Sequence, residues 1–209
     1  MTKHESQDQS LVIVIDDDEG LRESLGMLFR SVGLQVRLLG SAQEFFQTVM
    51  PDAPCCLVLD VKLPGINGLD LQSELHRAGI PMPIVFITGQ GDISMTVQAM
   101  KAGAVEFLTK PLRELDLLDA VRSAIRRDLQ RRLADKSIET IKHAFHSLTP
   151  RERQVIALVA SGLMNKQIAA NLGLSEITVK VHRGRVMRKM GARSLAELVK
   201  MSEALRLTS

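Results

Sequence analysis

The chain has 209 residues, 45% of them apolar and 24% charged, which suits one large or two small folded domains and excludes an intrinsically disordered chain. No apolar run approaches the ~20 residues of a membrane helix, and the polar stretch 1–10 lacks the basic and apolar regions of a secretory leader. The net charge of +3 conceals an asymmetry: residues 1–112 carry eight basic and fourteen acidic side chains, and residues 113–209 carry nineteen and ten, so an acidic region precedes one suited to a polyanion.

From residue 11 to about 130, short apolar runs alternate with amphipathic stretches. The runs at 11–15, 34–38, 55–59, 84–87 and 104–108 are brief and rich in β-branched residues, which predicts strands. Between them, 19–30, 41–49, 69–77 and 93–101 carry helical periodicity, with Ser41 and Glu44 spaced as a capping box. Such alternation predicts an α/β fold, a doubly wound parallel sheet of five strands with helices on both faces. The only cysteines, Cys55 and Cys56, are adjacent. A framework of long-range disulfides is therefore excluded, the two thiols read as structural residues facing opposite sides of a buried strand, and a cytoplasmic location is expected.

Ligands of doubly wound sheets bind at the carboxyl ends of the strands. There the sequence places Asp16, Asp17 and Asp18 after the first run, Asp60 after the third, Thr88 after the fourth, and Thr109, Lys110 and Pro111 after the fifth. The second run ends in Leu39 and Gly40, as suits an edge strand away from the site. Crowded carboxylates call for a divalent cation, and Mg²⁺ takes hard oxygen ligands. Asp16, Asp17, Asp60 and the backbone carbonyl of Lys62 are the candidate ligands. An aspartate can also act as a nucleophile toward phosphorus, with the Lys110 ammonium and the Thr88 hydroxyl set to stabilise the transferring group. Asp18 and Glu19 read as a solvated loop or as the first turn of the following helix.

The strings Ile15-Asp16-Asp17-Asp18, Leu59-Asp60-Val61-Lys62-Leu63-Pro64-Gly65, Ile87-Thr88-Gly89 and Phe107-Leu108-Thr109-Lys110-Pro111 together resemble the CheY-like receiver domain of two-component response regulators. The resemblance implies a flavodoxin-like strand order, Asp60 as phospho-acceptor, Asp16 and Asp17 on Mg²⁺, Thr88 and Lys110 at the phosphoryl group, and Phe107 as a rotating switch. It also implies a cis peptide bond between Lys110 and Pro111.

Beyond residue 113 no strand-like run occurs. Leu115, Leu118, Val121, Ile125, Leu129 and Leu133 recur at helical spacing with arginines between them, so the last receiver helix is expected to run on into a linker. Ile138, Ile141 and Phe145 mark a second short helix or its extension, and His143 and His146, with no third ligand nearby, read as exposed linker residues. Thr149-Pro150-Arg151-Glu152 is a capping box with proline at the first helical position. A second helix opens at Asn165 and stops at Gly173, a third runs from a Ser175 cap to Met190, and a fourth follows the box Ser194 to Glu197. Two helices joined by a glycine-containing turn form a helix-turn-helix, which sets its second helix in the major groove. All six aromatics are Phe, which argues for duplex DNA over stacking on single strands.

The strings Leu148–Val155, Gly162–Ala169 and Thr178–Arg183 resemble the LuxR-type helix-turn-helix, and the whole chain resembles a response regulator of the FixJ/NarL class, nearer FixJ in Ile87-Thr88-Gly89-Gln90-Gly91-Asp92. The resemblance implies a receiver at 9–125, a helical linker at 126–145 and a small all-α DNA-binding domain at 146–207. It sets Lys180 and Val181 at base edges and Asn165, Lys166, Thr178, His182, Arg183 and Arg185 at phosphates. Gly184 departs from relatives that carry a basic base-reading residue there. The implied activity is phosphorylation by a sensor histidine kinase, followed by homodimerisation, promoter binding and contact with RNA polymerase. The opposing reading is an Mg²⁺-dependent phosphohydrolase with an aspartate nucleophile. Such enzymes place a second carboxylate two residues after the nucleophile, where this chain has Lys62, so no turnover of an external substrate is expected beyond slow self-dephosphorylation.

Overall fold

A computed structural model describes residues 10–89 and 93–206. Gln90, Gly91 and Asp92 of the fourth-strand motif, and residues 9 and 207 at the expected domain limits, lie outside the described residues. The chain divides into two compact units between Arg132 and Leu133.

The first unit runs β1 (Leu11–Ile15), α1 (Glu19–Ser31), β2 (Gln35–Leu39), α2 (Ala42–Gln47), β3 (Cys55–Asp60), α3 (Gly68–Arg77), β4 (Ile84–Thr88), α4 (Ile93–Lys101), β5 (Glu106–Thr109) and the first part of α5 (Glu114–His146). The five strands are parallel in the order β2-β1-β3-β4-β5. Because strand side chains alternate in direction, β1 sends Leu11, Ile13 and Ile15 into a core with Phe45, Leu71, Leu75 and Ala99, and sends Val12 and Val14 into a second core with Phe29, Leu117 and Val121. Cys55 and Cys56 follow the same alternation, one in each core. Burial pushes the Cys56 thiol well above its ordinary range. Each fully buried aliphatic side chain contributes about 1.5–3 kcal/mol, so helices on both faces are what make continuous apolar strands stable.

Strand ends differ from the sequence expectation by one or two residues, each for a local reason. The Leu34 amide donates to the Phe29 carbonyl and closes α1, which delays β2 to Gln35. The Ala104 amide donates to Ala99 and closes α4, which delays β5 to Glu106. At the other end, the pairings Asp60↔Ile87 and Thr88↔Thr109 carry the ladder one residue further than expected. The two polar side chains are thereby fixed by the sheet itself and do not hang from loops.

The linker is no separate helix: α5 is continuous over 33 residues. In the second unit, Ile141 and Phe145 pack against a core with α6 (Pro150–Ala160), α7 (Asn165–Leu172), α8 (Glu176–Met190) and α9 (Leu195–Arg206). The capping box at Thr149 and Glu152 is present in both directions. Gly173 ends α7 at φ 65°, in the left-handed region where a side chain would be strained. Leu148, Val155, Ile156, Ile168, Val179, Val186 and Leu198 are fully or almost fully buried and hold the four helices together.

Candidate functional site

The β1–α1 turn is tied down before any chemistry is considered. Asp18 caps α1 by accepting from the Leu21 amide, the Asp18 amide donates to Asp16 Oδ1 at 2.9 Å, and Arg22 Nη1 donates to the Asp16 carbonyl at 2.7 Å. Just past the end of β3, the Lys62 amide donates to Asp60 Oδ1 at 3.1 Å. The Gly68 amide donates to the Val61 carbonyl. A Cβ at Gly68 would stand 2.5 Å from the Asp60 carbonyl oxygen, so only glycine lets α3 start against the end of β3. The Lys110 amide donates to the Thr88 carbonyl at 2.7 Å and the Lys110–Pro111 bond is cis.

These constraints converge on one pocket. Lys110 Nζ donates to Asp16 Oδ2 at 2.7 Å and to Asp60 Oδ2 at 2.9 Å, joining three strand ends. Asp16 and Thr88 are wholly buried and Asp60 nearly so, whereas Asp17 is exposed. Carboxylate oxygens of Asp16, Asp17 and Asp60 lie within 4.8 Å of one another. Burial raises the Asp16 carboxyl above its ordinary range, with Lys110 offsetting only part of that. For Lys110 burial acts to lower the pKa, but its two carboxylate partners outweigh it and hold the pKa above the usual ammonium value. Asp16 and Lys110 thus both hold their protons more tightly than in water, Asp16 because it is buried and Lys110 because two carboxylates receive it. Three hard oxygen donors in a negative pocket fit a divalent cation of the Mg²⁺ type. The Lys62 side chain is exposed. Phe107 is half-buried on β5 with its ring 6.0 Å from that of Phe86.

The helix-turn-helix residues fall into two groups. Lys166, Lys180, Val181 and Arg185 are exposed, while Asn165, Thr178, His182 and Arg183 are half-buried. Asn165 Oδ1 accepts from Arg183 Nη1, which ties the start of α7 to the middle of α8. The Thr178 hydroxyl lies 2.8 Å from that of the helix cap Ser175. His182 turns Nδ1 inward, where it is buried without a hydrogen-bond partner, so only the other edge of that ring can meet a phosphate. Glu152 is buried and accepts from Lys189 Nζ at 2.7 Å and from the Thr149 amide at 2.9 Å. The Lys189 ammonium, with the Thr149 amide, holds the Glu152 carboxyl below its ordinary range.

Sequence reasoning passed over Arg22, Gly68 and Asp128. The signal for Gly68 was a glycine at the first position of a helix; the signal for Asp128 was an acid three residues after Ile125 and seven after Val121, on the apolar face. Asp128 is 1% exposed and accepts from the Cys55 amide at 3.0 Å, from Arg131 at 2.7 Å and from Arg132 Nε at 2.7 Å. Arg132 also reaches Asp52 at 2.9 Å. Although burial alone would raise Asp128, these partners hold its carboxyl below the ordinary range.

Residues 12–122 match the family described as "Response regulator receiver domain", and residues 146–202 match "Bacterial regulatory proteins, luxR family". Nodulation protein W of Bradyrhizobium diazoefficiens is 57% identical over 205 residues, covering 98% of this chain and 90% of the relative. Response regulator protein TodT of Pseudomonas putida is 45% identical over 204 residues, with 98% and 90% covered. Among solved structures, the response regulator StyR superposes with a TM-score of 0.83 at 48% identity, covering 93% of this chain and 98% of that one. Full-length FixJ from B. japonicum gives 0.57 at 38%, with 94% and 97% covered. Among the described residues no helix is long and apolar enough to cross a membrane.

Proposed function

Because the chain belongs to the response regulators that join a receiver to a LuxR-type DNA-binding domain, and is therefore a phosphorylation-dependent transcription regulator and no dedicated enzyme, we propose that its switch is phosphoryl transfer to Asp60. The observation that carries this reading is the Lys110 ammonium bonded at once to Asp16 and Asp60 in a pocket short of positive charge. The family implies a histidine kinase as donor and duplex DNA as target. We take 9–125 as the receiver, 126–145 as the linker and 146–207 as the DNA-binding part.

In the step proposed, an Asp60 carboxylate oxygen attacks phosphorus. The new O–P bond forms as the bond from phosphorus to the donor imidazole nitrogen, or to the leaving carboxylate of an acyl phosphate, breaks. Asp16, Asp17, Asp60 and the Lys62 carbonyl would hold Mg²⁺, which supplies positive charge for the oxygens of the transferring group. Lys110 stands on Asp60 and offers the same group a charge-assisted hydrogen bond. Thr88, fixed at the end of β4, offers a hydroxyl, and its inward movement would let the half-buried Phe107 turn into the space beside it. Phosphorylation would then pair two chains through the surface around α4 and β5, bringing two recognition helices to two half-sites and leaving RNA polymerase as the downstream partner. Self-dephosphorylation would return the switch to rest.

Intact-mass measurement of the full chain with Mg²⁺ and acetyl phosphate tests this directly. Wild type is expected to gain the mass of one phosphoryl group and Asp60→Asn to gain none. Equal gain in both proteins would assign the acceptor elsewhere.

A further inference from the structure

We propose that Ile177 is a base-reading residue of α8, and that with Val181 it selects thymine by contact with the C5 methyl group. The inference rests on the DNA-binding reading and goes beyond it by naming what the helix recognises. An α-helix turns about 100° per residue. Val179, Val186 and Met190 are the buried residues of α8 and occupy one narrow stripe. Diametrically opposite stand Ile177, Val181, Gly184 and Arg188. Ile177 is 77% exposed and Val181 46%, and neither is among the apolar side chains packed against the core of the second unit. The face turned furthest from the core therefore carries two β-branched apolar side chains one turn apart, with the exposed Lys180 beside them.

Gly184 supplies an independent observation. Glycine inside a helix lowers its stability relative to alanine, and nothing within this unit requires it. Its backbone is not in the left-handed region, and a Cβ there would meet nothing within 4 Å beyond the backbone of its own helix. A bare helix surface in the middle of the outward stripe is explained by a body outside the protein that approaches the backbone. The flanking Lys180, Arg185 and Arg188 give that body its sign, negative. In the major groove the apolar feature that distinguishes one base pair from the others is the thymine methyl, met by aliphatic side chains, while lysine meets guanine acceptors. Duplex DNA entering with thymine under Ile177 and Val181 and its edge against Gly184 satisfies all three observations.

Selection from a random duplex library, using the full chain with Mg²⁺ and acetyl phosphate, would supply the probe. The enriched duplex is then resynthesised with uracil replacing each thymine in turn. At one thymine in each half-site, loss of the methyl is expected to weaken wild-type binding about fourfold, the ~0.8 kcal/mol of one buried carbon, and to leave Ile177→Ala unaffected. Gly184→Ala is expected to raise the melting temperature yet weaken binding to the enriched duplex, with binding to unselected duplex unchanged. A uracil scan that is flat, or equal in both proteins, would overturn the assignment while leaving DNA binding intact. Failure to enrich any sequence would overturn sequence-specific binding, and the inference with it.

Discussion

The two ends of β3 each hold a buried aspartate against basic side chains, and the two clusters are built to opposite ends. At the carboxyl end, oxygens of Asp16, Asp17 and Asp60 lie within 4.8 Å of one another, and the Lys110 ammonium bonds Asp16 and Asp60. At the amino end, about 17 Å away along the strand, the one buried carboxylate of Asp128 has two guanidinium groups and the Cys55 amide. In the first cluster burial outweighs Lys110 and raises Asp16; in the second the guanidiniums and the Cys55 amide outweigh burial and lower Asp128. A buried charge with all its partners inside the chain serves to fix geometry, here the path of α5 against the start of β3. A buried cluster left short of cations is poised for a ligand that brings them, or for a group that changes its charge.

Removing one partner from the complete cluster gives the larger stability change. Asp128→Ala strands the Cys55 amide and frees both guanidiniums. About 2 kcal/mol of receiver stability is expected to go, the cost of a stranded buried amide and less than the ~3–5 kcal/mol of a fully buried pair, because Arg131 and Arg132 can turn to water. Urea unfolding at pH 7 would measure it. Phosphoryl uptake by the folded variant should persist, since Asp60 lies at the far end of the strand. A variant as stable as wild type would abolish the distinction between the two ends.

The incomplete cluster should instead respond to the missing charge. With Mg²⁺ at ten times its dissociation constant, linkage adds about 1.4 kcal/mol of stability, visible as a rise in melting temperature. Asp17→Asn should lose most of that rise while remaining folded, because Asp17 is exposed and contributes to the ligand set more than to the core. The same addition should leave the gap between wild type and Asp128→Ala unchanged.

This difference also governs what could be read from the sequence. The carboxyl-end residues follow directly on apolar runs, so strand alternation and the rule for ligands in doubly wound sheets brought Asp16, Asp60, Thr88 and Lys110 together without coordinates. Asp128 sits among arginines in a long helix, where one acid looks like a solvated charge, and its partner Cys55 is 73 residues away. No local pattern encodes that contact. Gly68 is visible as a glycine opening a helix, but its role, the clearance between that helix start and the Asp60 carbonyl, depends on how the chain folds back on β3. On α8 the helix and its polarity were legible, but the burial of His182 Nδ1 and the bond from Arg183 to Asn165 depend on how the helices cross.

The smallest effect expected is in pH dependence, and its sign separates a satisfied carboxylate from a merely buried one. Asp128 has its folded pKa depressed by Arg131, Arg132 and the Cys55 amide against the opposing effect of burial. Its contribution to stability is therefore fully present above the ordinary aspartate range and is lost as pH falls through the lower, folded value. Asp128→Asn keeps the shape but never has the charge, so it should trail wild type at neutral pH. The gap should narrow on acidification below the ordinary aspartate range, where wild type becomes protonated at the same oxygen. Urea midpoints of the two proteins, taken at matched salt from pH 7 downward, would show the curves converging. Parallel curves would mean that the guanidiniums hold Asp128 no more tightly folded than unfolded, and that the order at this end of β3 comes from the packing of α5 alone.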